Sequence, residues 1–367
     1  MTQALIPQDL LAKPQSILFI THLALGDFTY LQNFFASFAK AFPHLRVHLW
    51  IDEVRRTGDQ SKWPGLQKYS LYDWAAACPY FRKVYTRTYS PTLYRESIED
   101  AQDEQYGIVV SLATLRPNQY ANLAREISPK GFVVGMKKKP GLLQFMHHLA
   151  YRKLDATLPT SYPELPPDHH ISDVYAEWFK RLFGLNVPFE ARLPYVNIPA
   201  EWINYAHEQF KQWCFDPARS KVVFINAFAK TKKRCWPLER VGELISAMQK
   251  EARWRDAQFI INAMPQDLAA VQKMLQDFKL QHAVPFSAVD NFFQLPAVLS
   301  QCHLIISVET AVMHLANAVH VPVIALMRMK NPEWAPIDKA NSQVITALNR
   351  NDWVDAIPVA TVMKSLP

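Results

Sequence analysis

Glycine is scarce in this chain: nine residues in 367, against twenty-six prolines. No Gly-rich phosphate cradle of the GxGxxG or Walker type is present, so any phosphate must be held by helix ends and cationic side chains. The four cysteines (Cys78, Cys214, Cys235 and Cys302) are scattered without CxxC spacing. That pattern speaks for reduced thiols in a cytosolic protein rather than a disulfide frame or a zinc site. His147-His148 and His169-His170 lack carboxylates at metal spacing, so neither a metal nor another cofactor is expected. No window approaches the ~20 apolar residues needed to span a bilayer. Residues Met1 to Pro14 lack the basic start and apolar core of a signal peptide. No long Lys/Arg block interleaved with aromatics marks a nucleic-acid groove.

What is present is the balance of a globular protein, with 49% hydrophobic and 20% charged residues. The length is comfortable for two cores. A net charge of +7 favours anionic partners such as acidic lipid headgroups or phosphorylated saccharides.

Strand and helix periodicities alternate along the chain. Short apolar runs predict strands over 16–20, 45–50, 108–112 and 132–135. Leu31, Phe34, Phe35, Phe38 and Phe42 recur at helical spacing before Pro43. Residues 142–185 read as mostly helical. Around 186–203, Pro188, Pro194 and Pro199 interrupt the periodicity, and the connection between domains is expected there. The alternation then resumes, with strands over 222–225, 258–261, 304–308 and 321–326. Helices are expected over 238–251, 266–278, 290–301 and about 352–366. Two Rossmann-like α/β halves, 1–190 and 191–350, followed by a terminal helix over 351–367, are the economical reading.

The most informative stretch is Ser307-Val308-Glu309-Thr310-Ala311-Val312-Met313-His314-Leu315-Ala316. It forms a strand–helix–strand unit with the run that follows. The strand–helix junction presents unpaired N–H groups that favour diphosphates. Glu309 suits a ribose hydroxyl there, and Thr310 a phosphate. The segment resembles the nucleotide-binding signature of the family 9 glycosyltransferases, the ADP-heptose:lipopolysaccharide heptosyltransferases. That family usually carries Asp-Thr-Gly, two residues and His, whereas this chain has Glu309-Thr310-Ala311 and then His314. His314 either bonds the phosphate loop or packs within the helix.

Two further pieces carry the resemblance. Gly26-Asp27 follows the first strand and loop, where an Asp can cap a helix; the resemblance makes Asp27 the base that takes the acceptor's proton. The run Lys230-Thr231-Lys232-Lys233-Arg234-Cys235-Trp236-Pro237 follows the strand over 222–225. Members show Lys, one residue, then Trp-Pro, which puts Arg234 in the phosphate-neutralising place and Lys233 one step off. Trp236 reads as a packing residue. Fainter likenesses assign acceptor contacts to Arg116 and Arg152, and mark the basic run Lys137 to Lys139. Met264 follows a strand at which members contact the nucleoside. The 327–334 segment replaces the family's usual Gly-Pro-Thr-type loop beside the donor sugar.

The resemblance implies a GT-B-like fold: two Rossmann-like domains with parallel sheets facing a central cleft, and the terminal helix packed back on the first. It implies an inverting, metal-independent transfer of heptose from ADP-heptose to an anionic lipopolysaccharide or lipooligosaccharide inner-core acceptor. The location implied is cytoplasmic, with peripheral contact at the inner membrane face. Another nucleotide sugar, a protein or other glycan acceptor, or a non-catalytic nucleotide-binding scaffold are the alternatives.

Overall fold

Six parallel strands build each of two sheets in the computed structural model, which describes residues 4–138 and 147–367, the side chains of 147 and 148 excepted. The chain divides into two units, the first extending through Arg192 and the second running Leu193–Pro367. In the first, β1 (Ser16–Thr21), β2 (Arg46–Ile51), β3 (Lys83–Tyr85), β4 (Ile108–Ser111), β5 (Phe132–Lys137) and β6 (Ala156–Pro159) lie in the order β3-β2-β1-β4-β5-β6. In the second, β7 (Val222–Asn226), β8 (Gln258–Asn262), β9 (Ala283–Phe286), β10 (Leu304–Val308), β11 (Val323–Met327) and β12 (Ser342–Thr346) lie in the order β12-β11-β10-β7-β8-β9. Counted from the first strand of each unit, the two orders are the same, 3-2-1-4-5-6, the doubly wound arrangement.

Helices cover the sheets, so the central strands are buried on both faces and read as unbroken apolar runs. Every residue of β1 and of β10 is buried. The Leu25–Ala41 helix buries Phe28, Phe34, Phe35 and Phe38. It packs on the Ile171–Phe183 helix, with ring centroids 5.4 Å apart for Phe34 and Phe179 and 4.5 Å for Phe38 and Phe183. Each fully buried Phe stabilises the unit by roughly 1.5–3 kcal/mol.

The structure departs from the sequence expectations at the sheet margins. Strands β3, β6, β9 and β12 were not anticipated, and they are the four edge strands. Residues 142–185 were expected to be mostly helical, yet they include β6. The region expected to lack periodicity contains the start of the Ala200–Gln212 helix, whose buried residues are only Ala206 and Phe210. The 352–366 segment forms a short 3-10 turn, Val354–Ala356, and a helix over Val359–Lys364. Val362 and Leu366 join the core of the second unit beside Val241 and Leu244. The terminal helix packs against the Leu238–Lys250 helix of the same unit. No described helix is long and apolar enough to cross a membrane.

Close packing between two helices makes one stability prediction. A Cβ on Gly242 would lie 2.5 Å from the Phe278 ring. Gly242→Ala should therefore destabilise the protein by about 1–3 kcal/mol, although alanine favours a helix. Urea denaturation measures the shift, and an unchanged or raised midpoint would refute it.

Candidate functional site

The strand order reverses between β1 and β4 in the first unit and between β7 and β10 in the second. Right-handed crossovers send the helices after those strands to opposite faces, which opens a crevice at their carboxyl ends. Asp27 follows β1 and Arg116 follows β4. Arg234 follows β7, and Glu309 and Thr310 follow β10.

Asp27 is not the helix cap the sequence allowed. The helix begins at Leu25 with Ala24 as its N-cap, so Asp27 is the third helical residue. Its half-buried carboxylate accepts a hydrogen bond from Tyr175 Oη at 3.1 Å and one from the Ala24 backbone N–H. Burial raises its pKa above the ordinary carboxylate value, and the Tyr175 bond only partly opposes that shift. Around it, His22 Nε2 accepts the Leu115 N–H at 2.8 Å, and Tyr69 Oη donates to the Leu23 carbonyl at 2.7 Å. The bond to Nε2 leaves the ring proton on Nδ1 in the neutral imidazole.

The end of β2 supplies residues the sequence reading missed. Buried Asp52 accepts from Arg56 Nη2 at 2.9 Å and from Tyr120 Oη at 2.7 Å. Buried Glu53 takes both prongs of Arg55, Nε at 2.7 Å and Nη2 at 2.6 Å. Burial alone would raise the Glu53 pKa, but the Arg55 hydrogen bonds bring it below the ordinary range. The signal was available: acids directly after an apolar strand need nearby cations, and Asp52-Glu53-Val54-Arg55-Arg56 provides them. Tyr175 gave no such sign, being 148 residues from Asp27.

Arg116 is exposed and begins the Pro117–Ile127 helix with left-handed backbone, φ 50°. It lies at the same strand edge as Asp27. Arg152 does not. The next residue, Lys153, accepts Arg125 Nε–H through its carbonyl, and Asp155 N–H bonds the Val133 carbonyl at the start of β5. Arg152 therefore sits toward the amino-terminal edge of the sheet, because the chain there is about to enter β6. Lys137 ends β5, while Lys139 lies outside the described residues.

In the second unit, an amide–hydroxyl network joins the strand ends. Asn226 Nδ2 donates to Thr310 Oγ1 at 2.9 Å and to Ser307 Oγ at 3.1 Å, and Asn262 Nδ2 donates to Asn226 Oδ1 at 2.9 Å. Thr310 caps the Ala311–Ala318 helix through the Val312 N–H. Ala311 opens that helix with no side chain beyond its methyl group. Glu309, expected to hold a ribose, is instead engaged by Arg328 Nε at 2.7 Å, with Arg234 Nε 3.8 Å away. A buried carboxylate needs such partners. Lys233 turns elsewhere, its Nζ 5.7 Å from the Trp353 ring centre, whereas its neighbour Arg234 lies beside Glu309. Trp236 packs, buried, with its Nε1–H on the Ile357 carbonyl. His314 is buried, its ring centroid 6.1 Å from that of Trp334. Met264, at the end of β8, is exposed. Among the described residues no cluster of three or more His, Cys, Asp or Glu could hold a metal ion.

The raised pKa of Asp27 has a sign for stability. The folded state favours the protonated form, so the charged carboxylate opposes folding at pH 7, and that penalty vanishes as the pH falls below about 4. Asp27→Asn should raise the melting temperature at pH 7, with the advantage fading toward pH 4. A lowered melting temperature at pH 7 would show that the carboxylate is not held at a cost.

No curated protein matches the chain in sequence. Among solved structures, it resembles a glycosyl transferase family 9 protein from Veillonella parvula DSM 2008, with 17% identity, 96% of each chain covered and a TM-score of 0.75. It also resembles the Escherichia coli ADP-heptose LPS heptosyltransferase II (14% identity, 95% of this chain and 97% of that one, TM-score 0.64). The E. coli heptosyltransferase WaaC with ADP-2-deoxy-2-fluoro heptose is similar as well (16% identity, 96% and 98%, TM-score 0.63). At such identities the likeness establishes the fold, which is GT-B-like. Residues 133–355, more than half of the chain, match Glycosyltransferase family 9 (heptosyltransferase). With that match on a pair of doubly wound units, this chain belongs to glycosyltransferase family 9, the heptosyltransferase family, and is a glycosyltransferase.

Proposed function

We propose that this glycosyltransferase moves heptose from ADP-heptose to an anionic inner-core acceptor of lipopolysaccharide, inverting the anomeric carbon and using no metal. The observation that carries the reading is Asp27: a half-buried carboxylate, basic through burial and oriented by Tyr175, at the switch point of the first sheet. A single carboxylate that takes the acceptor's hydroxyl proton suits one direct displacement, which inverts configuration. The departing ADP gains negative charge, and Arg234 with the amides that open the Ala311–Ala318 helix stabilises it. An E. coli relative solved with an ADP-heptose analogue supports the donor. Met264, exposed at the end of β8, offers the base an apolar surface.

On the first unit, Arg116 and the guanidinium groups of Arg55 and Arg56 suit an acceptor that bears carboxylates and phosphates. Arg152 does not join this set. The net charge of +7 favours approach to the anionic inner face of the cytoplasmic membrane, where a lipid-linked acceptor would be met. A second reading, transfer from another nucleotide sugar, is favoured by the segment after β11, where Arg328 and Asn331-Pro332-Glu333-Trp334 stand in place of the family's usual loop. Thermal-shift screening against ADP-, UDP-, GDP- and CMP-sugars separates the two readings, because a ligand of the native state raises its apparent stability. A response to ADP-heptose alone supports the first.

Asp27→Asn should lower kcat by about 10²–10⁴-fold while ADP binding is kept; full transfer by this variant would remove Asp27 from the chemistry. Tyr175→Phe deletes a bond that holds the Asp27 pKa down, so the acidic limb of kcat/KM should move to higher pH. A limb unmoved or moved to lower pH would contradict the role given to Tyr175. Arg234→Ala should weaken ADP binding by about 10-fold or more, read by calorimetric titration, and an equal affinity would clear Arg234 of that role.

A further inference from the structure

Arg328 was not among the residues the sequence singled out, and it is a largely buried cation at the carboxyl edge of the second sheet. It follows β11, the neighbour of β10, in a register that pairs Leu326 with Val308. Arg328 and Glu309 thus leave adjacent strands side by side. The Arg328 side chain is 12% exposed and Glu309 only 5%, and the bond between them joins Nε to Oε2 at 2.7 Å. No other hydrogen bond of Arg328 is present among the described residues. Its Nε is therefore tied while both Nη groups, which carry four N–H donors, meet no acceptor among the described residues. A largely buried guanidinium is costly unless those donors meet oxygen.

Arg234 completes the arrangement. It is 43% exposed and rests 3.8 Å from the same Glu309 oxygen. Two guanidiniums around one carboxylate leave one positive charge in surplus beside Thr310, at the start of a helix whose dipole also favours an anion. A planar fork with a fixed Nε edge matches two oxygens of one phosphate group.

We infer that Arg328, pinned by Glu309, is a second diphosphate ligand of the nucleotide-sugar donor, with Glu309 as a positioning residue rather than a ribose acceptor. The fixed Arg328 supplies a preformed fork, and the more exposed Arg234 supplies an arm that leaves Glu309 for the phosphate when the donor arrives. This rests on the reading of the second unit as the donor-binding unit.

The test is titration of the wild-type protein, Arg328→Ala and Arg328→Lys with ADP and with adenosine, alongside thermal unfolding of each. Arg328→Ala should lose about 10- to 100-fold in ADP affinity and keep its affinity for adenosine, since only the phosphates meet the fork. Arg328→Lys keeps a cation beside Glu309 and so guards against failure to fold; it should recover only part of the loss, because an ammonium lacks the fork. Unchanged ADP affinity in Arg328→Ala overturns the inference, as does an equal loss for ADP and adenosine, which would mark Arg328 as merely structural. Full recovery in Arg328→Lys overturns the fork. Failure of the wild-type chain to bind ADP, UDP or GDP would overturn the donor reading itself, and the inference with it.

Discussion

The reversal of strand order beside β1 and beside β7 is the constraint on which the chemistry depends. Both sheets are covered on both faces, so their central strands admit few polar side chains. Polar groups collect where the strands stop. In the second unit, Asn226 sits at that boundary and donates to Thr310 and Ser307 of the neighbouring strand end while accepting from Asn262. One buried amide thereby locks three strand ends together and fixes the start of the Ala311–Ala318 helix. The first unit makes the equivalent link more loosely, through His22 and the Leu115 N–H.

Carboxylates at these strand ends fall into two kinds. Asp52, Glu53 and Glu309 are buried, and each is matched by a guanidinium that it orients. Asp27 is treated differently. No ion pair to it is present among the described residues, and its hydrogen bonds come from a phenol and from backbone amides. Pairing with arginine would have made it a weak base. Burial without a paired guanidinium instead raises its pKa above the ordinary carboxylate value, at some cost to stability.

How much the sequence disclosed follows the same physics. The central strands were legible because burial on both faces forces continuous apolar runs, and the expected strand over 304–308 matches β10. The edge strands were hidden because each has one neighbour and a partly open face: β12 reads Ser-Gln-Val-Ile-Thr, with one residue buried. Asp27, Arg234 and Thr310 were visible because each follows a strand in a short recognisable motif. The partner that gives Glu309 its task was not, since Arg328 lies 19 residues further along, in a segment where the resemblance fails. Arg152 illustrates the converse. Its motif was visible, but only the register of β5 and β6 shows at which end of the sheet it stands.

The loop that carries Arg234 is moored to distant sequence. Trp236 Nε1 bonds the Ile357 carbonyl, Arg240 bonds the same oxygen, and Lys233 lies over Trp353. The tail thus acts as a backstop behind the turn that carries Arg234. Under the proposed function, drift in those final residues would retune how firmly the enzyme grips its nucleotide, with every residue assigned to the ligand left as it was.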